Sequence, residues 1–240
     1  MEKKYVLVTG GSNGIGAGIV KQLIIDGLTP IILDIVPPKD DLDGIFYKVD
    51  LSNVEETKSV LKEITGKYTI LRLANNVGVV KPASLEETSP EDFMLVMNLN
   101  AQTAMLCLQA VLPAMKKANF GRVVSITSRT VLGKLNRTAY SASKGAMGAM
   151  TRTWALELAG KGITINAIAP GPIETEAFQK NNPPGDPKTI AILNSVPVKR
   201  MGTPKDIGNA ASFFLKDESG FITGQTLYVC GGITVGLKGE

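Results

Sequence analysis

Short, nearly continuous apolar runs recur along the chain, separated by longer stretches in which apolar residues return every three or four positions. The runs predict strands at Lys4 to Val8, Pro30 to Asp34, Ile45 to Val49, Leu71 to Asn75, Gly121 to Thr127, Ile163 to Ile168 and Gln225 to Val229. The first intervening stretch, Ile15 to Asp26, places Ile19, Leu23 and Ile24 on one helical face. Runs such as Pro30-Ile31-Ile32-Leu33 lack the apolar–polar alternation of a strand with one wet face, so both faces of the sheet are covered. Strands alternating with helices, joined by right-handed crossovers, predict an α/β fold with a doubly wound parallel sheet and helices on both faces.

A chain of 240 residues is large enough for one such domain, and no repeat or linker divides it, so residues 1–240 are read as a single unit. The cluster Asn181-Asn182-Pro183-Pro184-Gly185-Asp186-Pro187 suits neither helix nor central strand and predicts a mobile loop. The sequence contains no histidine, which excludes a Ser-His-Asp hydrolase and removes the commonest zinc ligand. Cys107 and Cys230 have no metal-ligand or CxxC spacing and are expected as reduced core residues; no metal is expected. Net charge is +4, but the basic residues are scattered without interleaved aromatics, which argues against nucleic acid as a partner. The N-terminal apolar run Tyr5-Val6-Leu7-Val8 is too short for a signal peptide or membrane span, so a cytoplasmic protein without a membrane partner is expected.

Thr9-Gly10-Gly11-Ser12-Asn13-Gly14-Ile15-Gly16 lies between the first predicted strand and helix. Glycines there let a pyrophosphate approach the backbone at a helix N-terminus, as in a Rossmann-type fold. Asp34 ends the second strand about twenty residues on, where a carboxylate accepts hydrogen bonds from adenosine ribose hydroxyls and repels a 2′-phosphate. The turn offers Asn13 instead of a basic residue, so both features favour NAD(H) over NADP(H). The competing reading makes Asp34 only the start of a turn before Pro37-Pro38.

Tyr140 and Lys144 stand four residues apart in a predicted helix and share a face. An ammonium about 4 Å from a phenol, at an effective dielectric near 20, would lower the phenol pKa by roughly three units. That would bring tyrosine into range as a general acid/base. A Tyr-x-x-x-Lys pair alone is common on helix surfaces, and the order of the surrounding motifs gives this one its meaning.

The glycine turn, Asp50, Asn75-Asn76-Val77-Gly78, Asn98, Ile126-Thr127-Ser128, Tyr140 with Lys144, and Pro170-Gly171 follow one another as in the short-chain dehydrogenase/reductase family, which the whole chain resembles. Arg200-Met201-Gly202-Thr203-Pro204 and Gly220 to Gln225 are similar to closing segments of its 3-oxoacyl reductase-like members. The resemblance implies a catalytic set of Asn98, Ser128, Tyr140 and Lys144, interconverting a secondary alcohol and a ketone. It implies cofactor contacts at Gly10, Ser12, Asn13, Gly14, Ile15, Gly16, Asp34, Asp50, Leu51, Asn76, Gly78, Tyr140, Lys144, Pro170, Gly171, Ile173 and Thr175. Asn76 has an alternative role in satisfying backbone groups at a strand end. The sequence departs from the family at Val77, where alanine is usual, and at Cys230, where aspartate is frequent. The segment from Ser128 to Tyr140 is one residue shorter than in many members.

Arg129, Lys134, Arg137 and Lys180 fall in segments that border the substrate cleft in this family. Arg129 and Arg137 are the candidate anchors for an anionic substrate, against the alternative that all four are solvated surface charges. The small residues of Lys144-Gly145-Ala146-Met147-Gly148-Ala149 permit close helix approach; with the family's habit, this implies a homo-oligomer, a tetramer being favoured. Two rival functions stand beside the NAD(H)-dependent alcohol dehydrogenase or ketone reductase. One is a 3-oxoacyl thioester reductase acting on acyl carrier protein or CoA esters. The other is a non-catalytic dinucleotide-binding partner subunit.

Overall fold

The computed structural model describes residues 3–39 and 42–236. Its first half runs β1 (Tyr5–Thr9), α1 (Gly14–Ile25), β2 (Thr29–Asp34), β3 (Ile45–Lys48), α2 (Val54–Lys67) and β4 (Ile70–Asn75). The second runs α3 (Pro90–Met97), a π-helical turn (Asn98–Gln102), α4 (Thr103–Ala118), β5 (Gly121–Ile126), α5 (Thr138–Leu158) and β6 (Ile163–Pro170). It closes with α6 (Glu176–Asn181), α7 (Pro187–Ser195), α8 (Pro204–Leu215) and β7 (Thr226–Val229). Each strand expected from the apolar runs is present.

All seven strands are parallel, in the order β3-β2-β1-β4-β5-β6-β7. Connections from β1 run outward to β2 and then cross back to β4, so the strand order reverses between β1 and β4. A crevice at the carboxyl ends of these strands is where doubly wound sheets place their ligands. Alternate residues divide between two cores: Leu7, Ile31, Leu33, Leu73 and Val123 pack in one, and Val6, Val8, Ile32, Ala74 and Val124 in the other. Fully burying each Leu or Ile contributes about 1.5–3 kcal/mol, which explains why strands wet on neither face hold the sheet.

Helices α1 and α8 pack through small residues: a Cβ on Gly18 would lie 2.4 Å from the Pro204 carbonyl oxygen, and one on Gly208 2.5 Å from that of Gly18. Thr203 and Asp206 cap α8 reciprocally, and Arg200 pairs with Asp206 at 2.8 Å. Below the opposite end of the sheet, Arg72 and Arg122 donate to the carbonyls of Leu215 and Lys216 at 3.0 and 3.1 Å, fixing the exit of α8. Arg72 also pairs with Asp217.

The continuous helical stretch 90–118 is long and apolar enough to cross a membrane by length and composition. Its Cys107, Leu108, Val111 and Met115 instead fill the core beside Leu73 and Val123. The expected loop at 181–187 is shorter than the proline and glycine content suggests, because Asn181 ends α6 and Pro187 begins α7 behind an Asp186 cap.

Candidate functional site

The glycine turn connects β1 to α1 in a conformation few other residues adopt. Gly10 has φ +64°, and its N–H donates to the Leu33 carbonyl at 2.7 Å. A Cβ on Gly16 would fall 1.9 Å from the Gly10 carbonyl oxygen, so the turn closes only around glycine there. Asn13 precedes α1 without a capping side-chain hydrogen bond, leaving the first helical N–H groups available to an anion.

Asp34 is bound to this turn: its Oδ2 accepts the Ser12 N–H at 3.0 Å and its Oδ1 the Ile35 N–H at 2.7 Å. The Ser12 hydroxyl donates to the Val36 carbonyl at 2.6 Å. A negative charge is therefore fixed beside the glycine turn at the end of β2. Together these features fit a dinucleotide: a backbone cradle that a Cβ would fill, an uncapped helix start, and an acid one strand away.

Several other expected cofactor residues have identifiable structural roles. The Asn76 amide donates to the carbonyls of Thr9 and Gly10 at 3.1 and 2.8 Å, so it ties β4 to the glycine turn. Asp50 accepts both the N–H and hydroxyl of Ser52, at 2.9 and 2.7 Å. Leu51 is buried, and its carbonyl accepts the Thr103 hydroxyl at 3.0 Å. Gly171, after Pro170, lies so close to Cys230 that a Cβ would sit 2.7 Å from the Cys230 Cα. Ile173 bridges to Gly202, and Thr175 caps α6 by accepting the Phe178 N–H at 3.1 Å.

A groove of about 630 Å³ opens beside the turn, with Ser12, Asn13, Gly14 and Thr175 in its wall. Tyr140 is not in that wall. Lys39 and Glu176 also line the groove and pair across it at 2.6 Å.

The reacting side chains meet between β5 and α5. Ser128 follows β5 and stands beside the Tyr140 side chain, whose phenolate it favours. Lys144 is buried, its Nζ donating to the Ile126 carbonyl at 2.7 Å and standing 5.7 Å from the centre of the Tyr140 ring. Burial pushes the Lys144 ammonium down to about 8. Burial raises the Tyr140 phenol above its ordinary value, opposed by the Ser128 hydrogen bond and then the Arg137 charge. This corrects the electrostatic expectation from the sequence. Lys144 Nζ is drawn to a backbone carbonyl over the ring, and the Arg137 charge adds a smaller pull toward the phenolate.

The asparagine also moves. Asn100, not Asn98, faces this group: its Oδ1 accepts the Val79 N–H at 2.8 Å, and its amide donates to the Val79 carbonyl and the Ser143 hydroxyl, both at 3.0 Å. A Cβ on Gly78 would lie 3.1 Å from Asn100 Oδ1 and 3.2 Å from Lys144 Nζ, which places the three side by side. Residues two apart on a helix point to different sides, so Asn98 has no place in the same cluster. The sequence did hold a signal. Val96, Ala104, Leu108 and Val111 form a buried stripe, and Asn100 falls on it four residues after Val96.

A family model described as enoyl-(acyl carrier protein) reductase matches residues 10–234. The 3-oxoacyl-(acyl-carrier-protein) reductase FabG of Thermotoga maritima is 33% identical over 249 residues, covering 98% of this chain and 99% of its own. Among solved structures, the aldohexose dehydrogenase AldT of Thermoplasma acidophilum, ligand-free, superposes with TM-score 0.91 at 27% identity, over 100% of this chain and 97% of its own. A 3-oxoacyl (acyl-carrier-protein) reductase from Agrobacterium tumefaciens C58 with NADP bound gives 0.86 at 27%, over 95% and 93%.

Proposed function

Since the chain belongs to the short-chain dehydrogenase/reductase family and is an oxidoreductase of that family, we propose that it interconverts a secondary alcohol and a ketone using NAD(H). The observation that carries this is the meeting of Ser128, Tyr140, Lys144 and Asn100 at the strand ends, beside a cradle shaped for a dinucleotide. Gly10 to Gly16 and the start of α1 would hold the pyrophosphate, and Asp34 the adenosine ribose. Gly78, Pro170, Gly171, Ile173 and Thr175 would border the remainder. When bound, the nicotinamide supplies or accepts the hydride.

In reduction, Tyr140 gives its phenolic proton to the carbonyl oxygen; in oxidation its phenolate takes the proton back. Ser128 hydrogen-bonds the same oxygen and steadies its developing charge. Lys144 would hold the nicotinamide ribose. Asn100 keeps the Val79 backbone and Ser143 in register beneath these groups.

The preference for NAD(H) rests on Asp34. The Agrobacterium reductase named above carries NADP, whereas here a carboxylate held by the Ser12 N–H would face a 2′-phosphate and repel it. Asp34→Arg is expected to reverse the ratio of kcat/KM for NADH over NADPH. An unchanged ratio would remove Asp34 from cofactor selection.

A 3-oxoacyl thioester reductase is the second reading, favoured by the names of the Thermotoga and Agrobacterium relatives. The assembly proposed is a homotetramer. Gly145 and Gly148 on α5 have no neighbour within 4 Å of where a Cβ would stand, so this small-residue face is not spent on the chain's own sheet.

A further inference from the structure

Lys144 carries its ammonium in the interior, where each N–H has to find a partner in the protein. Of its three N–H groups, one reaches the Ile126 carbonyl at 2.7 Å. Gly78 closes another side, since a Cβ there would lie 3.2 Å from Nζ. A further N–H meets a sulfur: Nζ stands 3.6 Å from the Met147 Sδ. Met147 is itself 1% exposed and follows Lys144 by three residues on α5. Side chains on an α-helix lean towards its N-terminus, so a long one at 147 reaches back over the turn that carries Lys144.

Apolar volume alone does not account for this residue. Ala101 in the π-helical turn and Ala104 on α4 pack with Met147, Met97, Ala146 and Met150 in one cluster, where leucine would fill much the same space. Sulfur is what leucine lacks. A thioether is an uncharged, polarizable and weak acceptor, and a buried N–H left without any partner costs free energy. A carboxylate in its place would bind the ammonium by charge and compete for it with a cofactor; a thioether steadies it without doing so. The titratable group facing Nζ is Tyr140 on the same helix, its ring centre 5.7 Å away. From the other elements come the Ile126 carbonyl of β5, Gly78 after β4 and Asn100 of the π-helical turn, none of which titrates.

Resting on the reaction proposed above, we propose that Met147 is a positioning residue for Lys144: its sulfur takes one ammonium N–H and the Ile126 carbonyl another, so that a third remains for the nicotinamide ribose. Met147 touches neither substrate nor cofactor in this reading and acts only through Lys144. With the sulfur removed, Nζ is tied at one point instead of two, and an N–H of the charged form loses its partner. The ammonium, already lowered to about 8 by burial, then falls further, because a lost acceptor disfavours the protonated state.

Two variants test this. Met147→Leu keeps the volume and removes the acceptor, and Met147→Gln replaces the sulfur by an amide oxygen, a stronger acceptor. The Lys144 ammonium is titrated in the cofactor-free protein by NMR of lysine labelled at Cε, its signal being the one absent from Lys144→Met. The midpoint is expected to fall by about half a unit in Met147→Leu and to rise in Met147→Gln. NADH oxidation with butan-2-one, acetoacetate and acetoacetyl-CoA is followed over the same pH range. The alkaline limb of kcat/KM is expected to move with the midpoint, and KM for NADH to rise about threefold in Met147→Leu. A midpoint that Met147→Leu leaves unmoved, or that both variants lower alike as a space-filling role would, overturns the proposal. Met147→Leu, being volume-conserving, decides alone if Met147→Gln does not fold. Shifts of opposite sign without any turnover by the native chain support Met147 and count against the reaction. Turnover with an unmoved midpoint does the reverse.

Discussion

Asn100 shows what a single side chain can carry. It is buried with three hydrogen bonds, two to the Val79 backbone and one to Ser143, and the Ser143 hydroxyl donates onward to the Tyr140 carbonyl at 2.8 Å. Asn100→Ala is expected to cost about 1–3 kcal/mol in thermal or denaturant unfolding, because it strands buried partners, whereas Asn98→Ala costs less. Equal effects would return Asn98 to the site. The two asparagines look interchangeable in the sequence because the local motif fits either; the buried stripe and the π-helical turn separate them. Lys144 makes a second prediction at this scale. Its ammonium titrates at about 8 when folded against an ordinary 10.5, so above about pH 8 the unfolded chain holds more protons. The Lys144 contribution to the stability of the cofactor-free protein is therefore expected to grow as pH increases from about 8 towards 10.5, so that the melting-temperature difference between the native chain and Lys144→Met shifts in favour of the native chain over that range. Melting temperatures across this window decide it.

At the scale of elements, the glycine turn was legible and its neighbour was not. A strand, a run of glycines and an amphipathic helix declare themselves locally, and Asp34 follows at the expected interval. The contact between α1 and α8 joins Gly18 to Gly208, far apart in sequence, and nothing near either residue announces it. Gly208→Ala forces a methyl against the Gly18 carbonyl at 2.5 Å and is expected to destabilise the protein by about 1–3 kcal/mol, read from a urea midpoint. An unshifted midpoint would mean that the two helices can part without cost. The helix 90–118 teaches the opposite lesson: its apolarity is that of a membrane span, and only the sheet beneath shows it to be a core element.

For the whole molecule, the parallel sheet was readable because strands buried on both faces leave uninterrupted apolar runs, and crossovers restrict how such strands connect. The fixing of α8 by Arg72 and Arg122 was not readable, since their partners are backbone carbonyls contributed by a distant segment. The site itself was half visible: Tyr140, Lys144 and Ser128 stood out by motif, while Asn100 was told from Asn98 only by its contacts with Val79 and Ser143. The central claim is that Tyr140 exchanges the proton in an NADH-linked ketone reduction. It is tested most directly by following NADH oxidation with a panel of neutral ketones, keto acids and 3-oxoacyl thioesters for the native protein and Tyr140→Phe, alongside NADH binding to both. Turnover by the native chain, lost by at least about a hundredfold in Tyr140→Phe with NADH binding retained, is the predicted result. Near-native turnover without the phenol would contradict it.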